Sequence, residues 1–541
     1  MSDADELKEA VERVLRSTSR KKLVVAGPGA GKTTLFQKLL EGTGGGRDER
    51  LVLTFINNLK SELDRSLSAL AHVNTLHGYC LSLLYRTAAL RSGLTGDFIC
   101  YPGLVSFIKE DSEWIRGGDP PTFVDQFRDL SLPKELEVFY LERARYYDAV
   151  DFDDSVYRVY RGLEAHRGEI PEYKLVLIDE FQDFNKMEAA VIELLSDRSP
   201  ITIAGDDDQA LYSQLRGADS VHIRKHHGGG EYEVFELPFC MRCPEVIVGA
   251  VDDIIVAARK LAKLAGRIPK PFRYFEPVKG ADSLRFPKIE LVRASVQRNN
   301  ANYLGRYVEQ QIRAISEDEF TLAKEKFEPA ALIIGTKPYL PQIEAHLIEC
   351  GLLAAPAEDK LSERQRALEV LNNDPASNLG WRAILAESRP SVARPIVRAA
   401  HANKTRLVDE IDPAMRDAVL KEAAEFAAAS VQHAKVKDAE PDQPPAIKLT
   451  SFEGSKGLSA QYVFLVGLHA GDLPRTATPQ DIEICKFLVG LTRTKKRCSI
   501  LIARNFAGQF KTPSQFLSWI HTDRFASVEV NADYWKRDAV G

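Results

Sequence analysis

The residues with the clearest chemical meaning form a glycine-rich turn, AGPGAGKTT, at positions 26–34. It follows an apolar stretch typical of a buried strand and precedes a helical one, so its backbone N–H groups would surround phosphate oxygens at a helix N-terminus. Lys32 would reach the outer phosphates and the Thr33 hydroxyl would bind Mg²⁺. The pattern predicts a nucleotide-binding loop with these ligand-contacting residues: Gly27, Gly29, Gly31, Lys32, Thr33 and Thr34.

Paired carboxylates end a second apolar run, KLVLIDEFQD, at positions 174–183. Ligands of parallel sheets bind beyond the carboxyl ends of the strands. Asp179 could hold Mg²⁺ through water, and Glu180 could orient or deprotonate an attacking water. An Asp-Glu pair after a strand is common by itself, but together with the phosphate loop it predicts a nucleoside-triphosphate hydrolase.

Three consecutive aspartates follow a third apolar run, in AGDDDQALYSQLRGAD at positions 204–219. Three readings are open for them: a divalent-metal site, an ordinary solvated turn, or one end of a nucleotide sensor. The residue types at this point do not choose between these readings.

The elements that must position these residues alternate between strand-like and helix-like patterns. This alternation predicts parallel, doubly wound sheets of the α/β class. A helical, aromatic-rich stretch at about 86–165 interrupts it, and a second α/β domain starts at about 290. The prolines of KDAEPDQPP mark a linker before the last strands.

The bulk composition sets limits on partners and compartment. The 541 residues carry a formal net charge of -5, so a nucleic-acid site would have to be a local groove. The seven cysteines are scattered and odd in number, which favours a reducing compartment, by default the cytoplasm. The N-terminus does not resemble a signal peptide, and no apolar run approaches the ~20 residues of a membrane helix, so no membrane partner is expected.

Eight segments of the sequence resemble, in the same order, the motifs of superfamily 1 DNA helicases of the UvrD, PcrA and Rep group. They span most of the chain, from about residue 20 to about residue 520. In chain order they are AGPGAGKTT, LTFINN, NTLHGYC, IDEFQD, GDDDQALYSQLRGA, FCMRCP, SFEGSKGLSA and VGLTRTKKR.

The resemblance implies two RecA-like motor domains with two mainly helical insertions. The first motor domain would comprise residues 1–85 and 166–238, interrupted by an accessory insertion at 86–165. The second would comprise residues 239–384 and 446–541, interrupted by a short insertion at 385–445.

The resemblance also assigns roles at an ATP and Mg²⁺ site between the motor domains. Thr33 and Asp179 would hold Mg²⁺, and Glu180 would be the catalytic carboxylate. Gln209 would sense the γ-phosphate. Arg242 and Arg493 would be arginine fingers, which contribute on the order of 10³ to 10⁵ in rate.

Contacts to single-stranded or partly duplex DNA are implied for eight residues. They combine phosphate-binding donors with aromatic faces for bases: Thr54, Phe55, Asn57, Thr75, His77, Tyr212, Arg216 and Lys456. Alternatives stay open for two of them, because Phe55 could be a core residue at the end of a strand and His77 could serve in packing or capping.

Several positions depart from the family pattern. Met241 stands where relatives have an adenine-stacking tyrosine, and Ser459 stands where they have a glutamate near the ribose. Gln214 and Leu215 stand where a base-stacking aromatic is expected. These departures put strict ATP specificity and the grip on bases in question, while leaving phosphate chemistry intact.

Two functions agree with these features. The first is an ATP-dependent translocase or helicase moving 3′ to 5′ on single-stranded DNA, in DNA repair or phage defence. The alternative is a nucleic-acid-stimulated ATPase that regulates a nuclease partner, since compact UvrD-like proteins resemble the helicase subunits of antiphage systems such as Gabija. The short second insertion and the missing aromatic favour the alternative modestly.

Overall fold

The computed structural model describes residues 2–55, 57–212, 216–218, 220–294, 301–354, 361–434 and 446–538. These ranges form two six-stranded parallel sheets, each flanked by helices, and a helical body whose core is continuous with that of the first sheet. The mixed α/β fold class predicted from the alternation is confirmed. Among the described residues, no helix combines the length and the apolar character needed to span a membrane.

The elements of residues 2–294 begin and end as follows. The helices are α1 (Asp3–Arg16), α2 (Lys32–Gly42), α3 (Asn57–Leu67), α4 (Leu76–Arg86), α5 (Leu104–Arg116), α6 (Phe123–Arg128), α7 (Lys134–Tyr147), α8 (Phe152–Ala165), α9 (Lys186–Ser196), α10 (Val221–Gly228), α11 (Glu245–Lys260) and α12 (Glu276–Arg285). The strands are β1 (Lys21–Ala26), β2 (Arg50–Thr54), β3 (His72–Thr75), β4 (Ile99–Cys100), β5 (Ala149–Val150), β6 (Leu175–Ile178), β7 (Ile201–Gly205), β8 (Glu233–Leu237), β9 (Phe239–Cys240), β10 (Arg273–Tyr274) and β11 (Ile289–Ala294).

The elements of residues 301–538 complete the chain. The helices are α13 (Ala301–Arg313), α14 (Glu317–Glu325), α15 (Leu340–Glu349), α16 (Glu363–Asn373), α17 (Asn378–Ala386), α18 (Pro390–Asn403), α19 (Pro413–Ala434), α20 (Asp481–Leu491) and α21 (Ala532–Asp538). The strands are β12 (Ala331–Gly335), β13 (Ile447–Thr450), β14 (Ala460–Val466), β15 (Thr494–Ala503), β16 (Asn505–Phe506), β17 (Gln509–Phe510) and β18 (Phe525–Val530).

The first sheet brings the phosphate loop, the paired carboxylates and the three aspartates to one edge. Its strand order is β3-β2-β6-β7-β1-β8, with parallel pairing throughout. The strands that precede the phosphate loop, the paired carboxylates and the three aspartates are therefore the adjacent β1, β6 and β7. These strands are buried apolar runs, as a sheet covered on both faces requires.

The second sheet has the strand order β13-β12-β14-β15-β11-β18 and is also parallel. The buried helix α20 connects β14 to β15, and Arg493 lies in the tight turn where α20 ends. The end of an element in the second motor domain thus presents Arg493 to the first.

The second helical insertion begins earlier than the sequence predicts. The expected boundary at residue 385 would leave α16 and all but the last turn of α17 in the second motor domain. Instead, α16 packs on α17 and α19, and α17 and α18 pack on α5. The insertion therefore starts near residue 361, and it shares one apolar core with the first insertion through residues such as Trp381 and Phe107.

A buried ionic cluster joins the two insertions. Asp111 on α5 accepts hydrogen bonds from Arg143 Nε at 2.8 Å and from Arg382 Nε at 2.9 Å, and Tyr147 donates its hydroxyl to the same carboxylate at 2.6 Å. Asp111 and Arg382 are fully buried. A single buried carboxylate therefore binds guanidinium groups from both insertions, and Glu110 adds a second carboxylate to Arg382 at 2.7 Å.

Replacing Asp111 by alanine should lower the unfolding free energy of the helical body by about 3–5 kcal/mol, because it removes the carboxylate that pairs with buried Arg143 and leaves buried Arg382 with the more exposed Glu110. Denaturant unfolding followed by the fluorescence of Trp114 and Trp381, which lie in this core, measures the change. The matched control is Glu113→Ala on the same helix, which removes an exposed pair with Arg394 and should cost no more than about 1 kcal/mol. Equal unfolding midpoints for the two variants would contradict a stabilising role for the buried cluster.

Candidate nucleotide cleft and nucleic-acid groove

The phosphate loop lies between β1 and α2, as predicted, and its glycines are required by its shape. Gly29 and Gly31 have φ values of 69° and 87°, in the left-handed region that favours glycine. A Cβ atom at Gly29 would clash with Arg242, and one at Gly31 would clash with Met241. The Met241 N–H donates to the Gly29 carbonyl at 2.9 Å, so a segment of the second motor domain packs directly on the loop.

The paired carboxylates lie against the lysine of the loop. Lys32 Nζ is 2.5 Å from Glu180 Oε1 and 3.6 Å from Asp179 Oδ1. Burial would raise the pKa of Glu180, but the nearby Lys32 and Lys456 ammonium groups outweigh burial and hold that pKa below its ordinary value. Glu180 is therefore ionised, and its φ of 54° is a strained conformation of the kind found at functional sites.

Gln209 and Arg493 meet across the two motor domains. Gln209 donates through Nε2 to Asp206 Oδ2 at 2.7 Å, and its Oε1 accepts from Arg493 Nη2 at 2.9 Å. Both side chains are buried. The predicted γ-phosphate sensor and one predicted arginine finger are thus in direct contact.

These residues line a cleft of about 270 Å³ between the motor domains. Gly27 lies behind the loop against Phe272, and Thr34 is exposed on α2, so neither lines it. The predicted residues that do line it are Gly29, Gly31, Lys32, Thr33, Asp179, Glu180, Gln209, Arg242 and Arg493. A glycine cradle at a helix N-terminus, a hydroxyl beside a carboxylate and three cationic side chains fit a magnesium–triphosphate group.

The cleft also contains a carboxylate that the sequence patterns do not reveal. Glu328 accepts a hydrogen bond from Ser459 Oγ at 3.4 Å and forms an ion pair with Lys495. The resemblance implied a glutamate at the position of Ser459, and Glu328 brings a carboxylate to the same wall of the cleft from a different part of the chain. Glu328 lies outside the eight motifs, so the sequence gave no indication that it lines the cleft.

Lys456 lies in the cleft rather than among the residues expected to contact DNA. It is 1% exposed and forms ion pairs with Asp183 and, at 3.3 Å, with Glu180. Its ammonium also donates to the Gln209 carbonyl at 2.7 Å. This corrects the expectation from the sequence, because three buried acceptors hold the charge away from any groove.

Four of the expected DNA-contact residues form one cluster. The Phe55 ring lies 5.0 Å from the Tyr212 ring, and the Arg216 guanidinium lies 4.7 Å above Phe55. Arg216 Nη2 donates to His77 Nε2 at 3.0 Å. The cluster Phe55–His77–Tyr212–Arg216 therefore brings two aromatic rings, an imidazole and a cation together, although Phe55 itself is only 4% exposed.

The remaining expected contacts are arranged differently. Thr54 is fully buried, and Thr75 caps α4 by accepting from the Gly78 N–H at 3.1 Å. These two threonines support the elements rather than present donors to a groove. Asn57 begins α3, but its side chain lies outside the described residues, as do Gln214 and Leu215.

A second opening of about 500 Å³ lies at the carboxyl edge of the second sheet. Exposed Lys337 and Arg475 line it, beside Leu211 from the first motor domain. Tyr212 donates its hydroxyl to the Glu453 carbonyl at 3.1 Å, which connects the cluster to this opening. Lys337 follows the carboxyl end of β12, a position that could have flagged it in the sequence.

The three consecutive aspartates surround a lysine. Lys270 Nζ lies 2.8 Å from Asp206, 2.7 Å from Asp207 and 2.8 Å from Asp208. Of the three open readings, the solvated turn is excluded because all three aspartates are buried. The ammonium group also occupies the position that a metal ion would need, and Asp206 accepts a hydrogen bond from Gln209, so these contacts favour the reading as one end of a nucleotide sensor.

The first α/β motor domain carries the phosphate loop and the paired carboxylates, and the second brings an arginine across the cleft. These features define the class of P-loop NTPases with two RecA-like domains. Within that class, residues 7–113 and 130–228 match the UvrD/REP helicase N-terminal domain. The predicted resemblance to UvrD-like superfamily 1 helicases is thereby confirmed.

Curated relatives agree with this placement. The chain is 25% identical over 404 residues to the ATP-dependent DNA helicase UvrD2 of Mycobacterium tuberculosis (strain ATCC 25618 / H37Rv), covering 69% of this chain and 54% of the relative. It is 24% identical over 406 residues to the ATP-dependent DNA helicase PcrA of Staphylococcus aureus (strain NCTC 8325 / PS 47), covering 66% and 54%. A probable DNA helicase II homolog of Mycoplasma capricolum matches at 25% over 240 residues, 36% of this chain and 33% of the relative. The chain thus spans between a third and about half of the length of these relatives.

Glu188 gives the cluster beside it a pH-dependent stability. It is fully buried, with its Oε1 3.5 Å from Arg216 and 3.6 Å from His77, and burial raises its pKa to about 7. The unfolded chain loses this proton near pH 4.5, so between about pH 4.5 and 7 the native state binds more protons and its stability falls as pH rises.

Glu188→Gln should remove this contribution, so that the variant gains stability relative to the natural protein by up to about 3 kcal/mol as pH rises through that window. Denaturant midpoints measured from pH 4.5 to 8 test this. The control is His77→Gln, because burial lowers the pKa of His77 to about 4 and its contribution has the opposite sign below pH 6.5. Parallel pH profiles for Glu188→Gln and the natural protein would contradict the assignment.

Proposed function

We propose that this chain is an ATP-dependent translocase on single-stranded DNA that moves 3′ to 5′. The observation that carries the proposal is the contact between Gln209 and Arg493, because it joins the predicted sensor of one motor domain to the predicted arginine finger of the other. A site completed by both domains couples nucleotide hydrolysis to their relative movement. Two of the relatives named above are ATP-dependent DNA helicases and the third is a probable DNA helicase II homolog, which supports the same activity.

The residues of the cleft divide the chemistry of hydrolysis among them. Lys32 and the loop amides would bind the β- and γ-phosphates, and Thr33 and Asp179 would hold Mg²⁺. Bound Mg²⁺ neutralises charge on the phosphate oxygens. Glu180 lines the cleft beside the phosphate loop, so its carboxylate would accept a hydrogen bond from the attacking water and orient it.

The positive side chains act on the charge that develops in the transition state. Arg493 already contacts the sensor, and Arg242 lines the cleft beside the phosphate loop. Both come from the second motor domain, so closure of the cleft brings them to the phosphates together. This arrangement stabilises the transition state only in the closed form.

A short stretch of chain connects this chemistry to DNA. Gln209 is followed by Tyr212 and Arg216, which belong to the aromatic cluster. Tyr212 also reaches the second motor domain at Glu453. A displacement of Gln209 on hydrolysis would therefore move side chains that grip a strand running from the cluster to the opening lined by Lys337 and Arg475.

The covered state of Phe55 favours the second candidate function. Arg216 lies over its ring and Tyr212 packs beside it, so a base cannot stack on Phe55 unless Arg216 moves. Loss of base–aromatic stacking lowers the binding free energy for a single strand by ~1–3 kcal/mol per base. This observation supports an ATPase that senses nucleic acid and regulates a nuclease partner, with little unwinding of its own.

Lys32→Ala should abolish ATP hydrolysis stimulated by single-stranded DNA, because it removes the cation that binds the outer phosphates. The matched control is Lys38→Ala on the same helix, an exposed residue that should leave turnover unchanged. A steady-state phosphate-release assay with saturating single-stranded DNA measures both. Turnover retained in Lys32→Ala would overturn the assignment of the cleft.

Unwinding of partial duplexes separates the two candidates. The translocase proposal predicts ATP-dependent strand separation from substrates with a 3′ overhang and less from matched substrates with a 5′ overhang. Strand separation by the isolated chain would eliminate the regulator. The translocase would be eliminated if the protein hydrolyses ATP in response to DNA but neither separates the strands of either substrate nor moves along single-stranded DNA in a translocation assay.

A further inference from the structure

The loop that follows α11 reaches from the second motor domain into the first. Ile268 donates its N–H to Asp207 Oδ2 at 2.9 Å, and Arg267 Nε donates to Asp208 at 2.8 Å. Lys270 forms ion pairs with all three aspartates, and its side chain is 3% exposed. With Arg224, which donates to Asp207 at 3.0 Å, three cations balance three buried carboxylates.

One of these carboxylates also holds the sensor. Asp206 accepts from Lys270 through Oδ1 and from the Gln209 side-chain amide through Oδ2, at 2.8 and 2.7 Å. Since that NH₂ group points to Asp206, the amide oxygen points to Arg493. The contacts form one continuous series, Lys270–Asp206–Gln209–Arg493. Its two end residues, Lys270 and Arg493, belong to the second motor domain.

We propose that Lys270 is a positioning residue for ATP hydrolysis: through Asp206 it fixes the orientation of the Gln209 amide, and it does so only when the motor domains are closed. Its ammonium lies on the far side of Asp206 from Gln209, so it acts through the carboxylate and does not contact nucleotide. The inference rests on the proposed ATPase function of the cleft.

The physical reason lies in the two-sided nature of a carboxamide. An amide side chain can present either its oxygen or its NH₂ group to a neighbour, and the two orientations differ only in hydrogen bonding. Asp206 selects one orientation because its carboxylate oxygen accepts the hydrogen bond of the NH₂ group, and Lys270 pairs with the other oxygen of the same buried carboxylate. When the second motor domain moves away, Asp206 loses this cation and Gln209 loses Arg493 at the same step.

Lys270→Met tests the role by removing the charge while keeping much of the side-chain length. We expect kcat for DNA-stimulated ATP hydrolysis to fall by about tenfold to a hundredfold, the loss typical of a misplaced catalytic group, with KM for ATP changed by less than about threefold. Lys270→Arg, which retains a cation, should recover most of kcat. The matched control is Lys225→Met, an exposed lysine next to Arg224, which should behave as the natural protein.

A charge-balanced variant distinguishes positioning from simple stabilisation. Lys270→Met leaves one buried carboxylate in excess, and Asp208→Asn in the same chain removes that excess. If Lys270 acts only in stability, the double variant should recover both the thermal midpoint and kcat. If Lys270 positions the sensor, the double variant should recover the midpoint while kcat stays low.

The outcomes separate this inference from the function on which it rests. Natural protein that hydrolyses ATP, together with Lys270→Met at natural kcat, overturns the inference and leaves the proposed function intact. A double variant with recovered kcat overturns it as well. Natural protein without DNA-stimulated hydrolysis overturns the proposed function and the inference together.

Discussion

The adjacency of β6, β7 and β1 in a parallel sheet is the constraint on which the rest of this structure depends. Parallel strands end at the same edge, so the loops after these three strands must meet there. One loop carries the glycines and Lys32, the next carries Asp179 and Glu180, and the third carries Asp206 and Gln209. The second motor domain only has to bring arginines to a place that the first has already defined.

Contacts between parts of the molecule are made largely by buried charge. Lys270 and Lys456 join the two motor domains through carboxylates, and Arg382 joins the two insertions through Asp111. Desolvation makes such pairs weak contributors to net stability, but breaking one leaves an uncompensated charge. They therefore favour one relative arrangement of the domains over others. If the proposed translocase cycle opens and closes the cleft, that selectivity matters more than added stability.

The proposed nucleic-acid contacts are less fully formed than the nucleotide cleft. The cleft residues lie in mutual contact, whereas the face of Phe55 is covered by Arg216 and Thr54 is buried. A strand can use the cluster only after a rearrangement of Arg216, whose other neighbours are His77 and Glu188. In the proposed function, Tyr212 and Arg216 would link the nucleotide cleft to DNA contacts that form only after Arg216 moves.

The sequence by itself determined the features that depend on local pattern. A strand, a glycine-rich turn and a helix give the phosphate loop wherever they occur, so Lys32, Thr33, Asp179 and Glu180 were assignable from the chain alone. Motif order predicted two α/β domains with two insertions. The same motifs placed the first motor domain in the UvrD-like group, and this agrees with the family match over residues 7–113 and 130–228.

Tertiary structure decided everything that depends on which distant groups meet. A lysine after a glycine-rich motif resembles a DNA contact, yet Lys456 is held by Asp183 and Glu180, far away in sequence. No local pattern separates α16 and α17 from the motor domain that precedes them, because only packing on α5 assigns them to the helical body. Lys270 is one cation in a basic segment until the fold surrounds it with three carboxylates, since burial and charge pairing are properties of the folded chain.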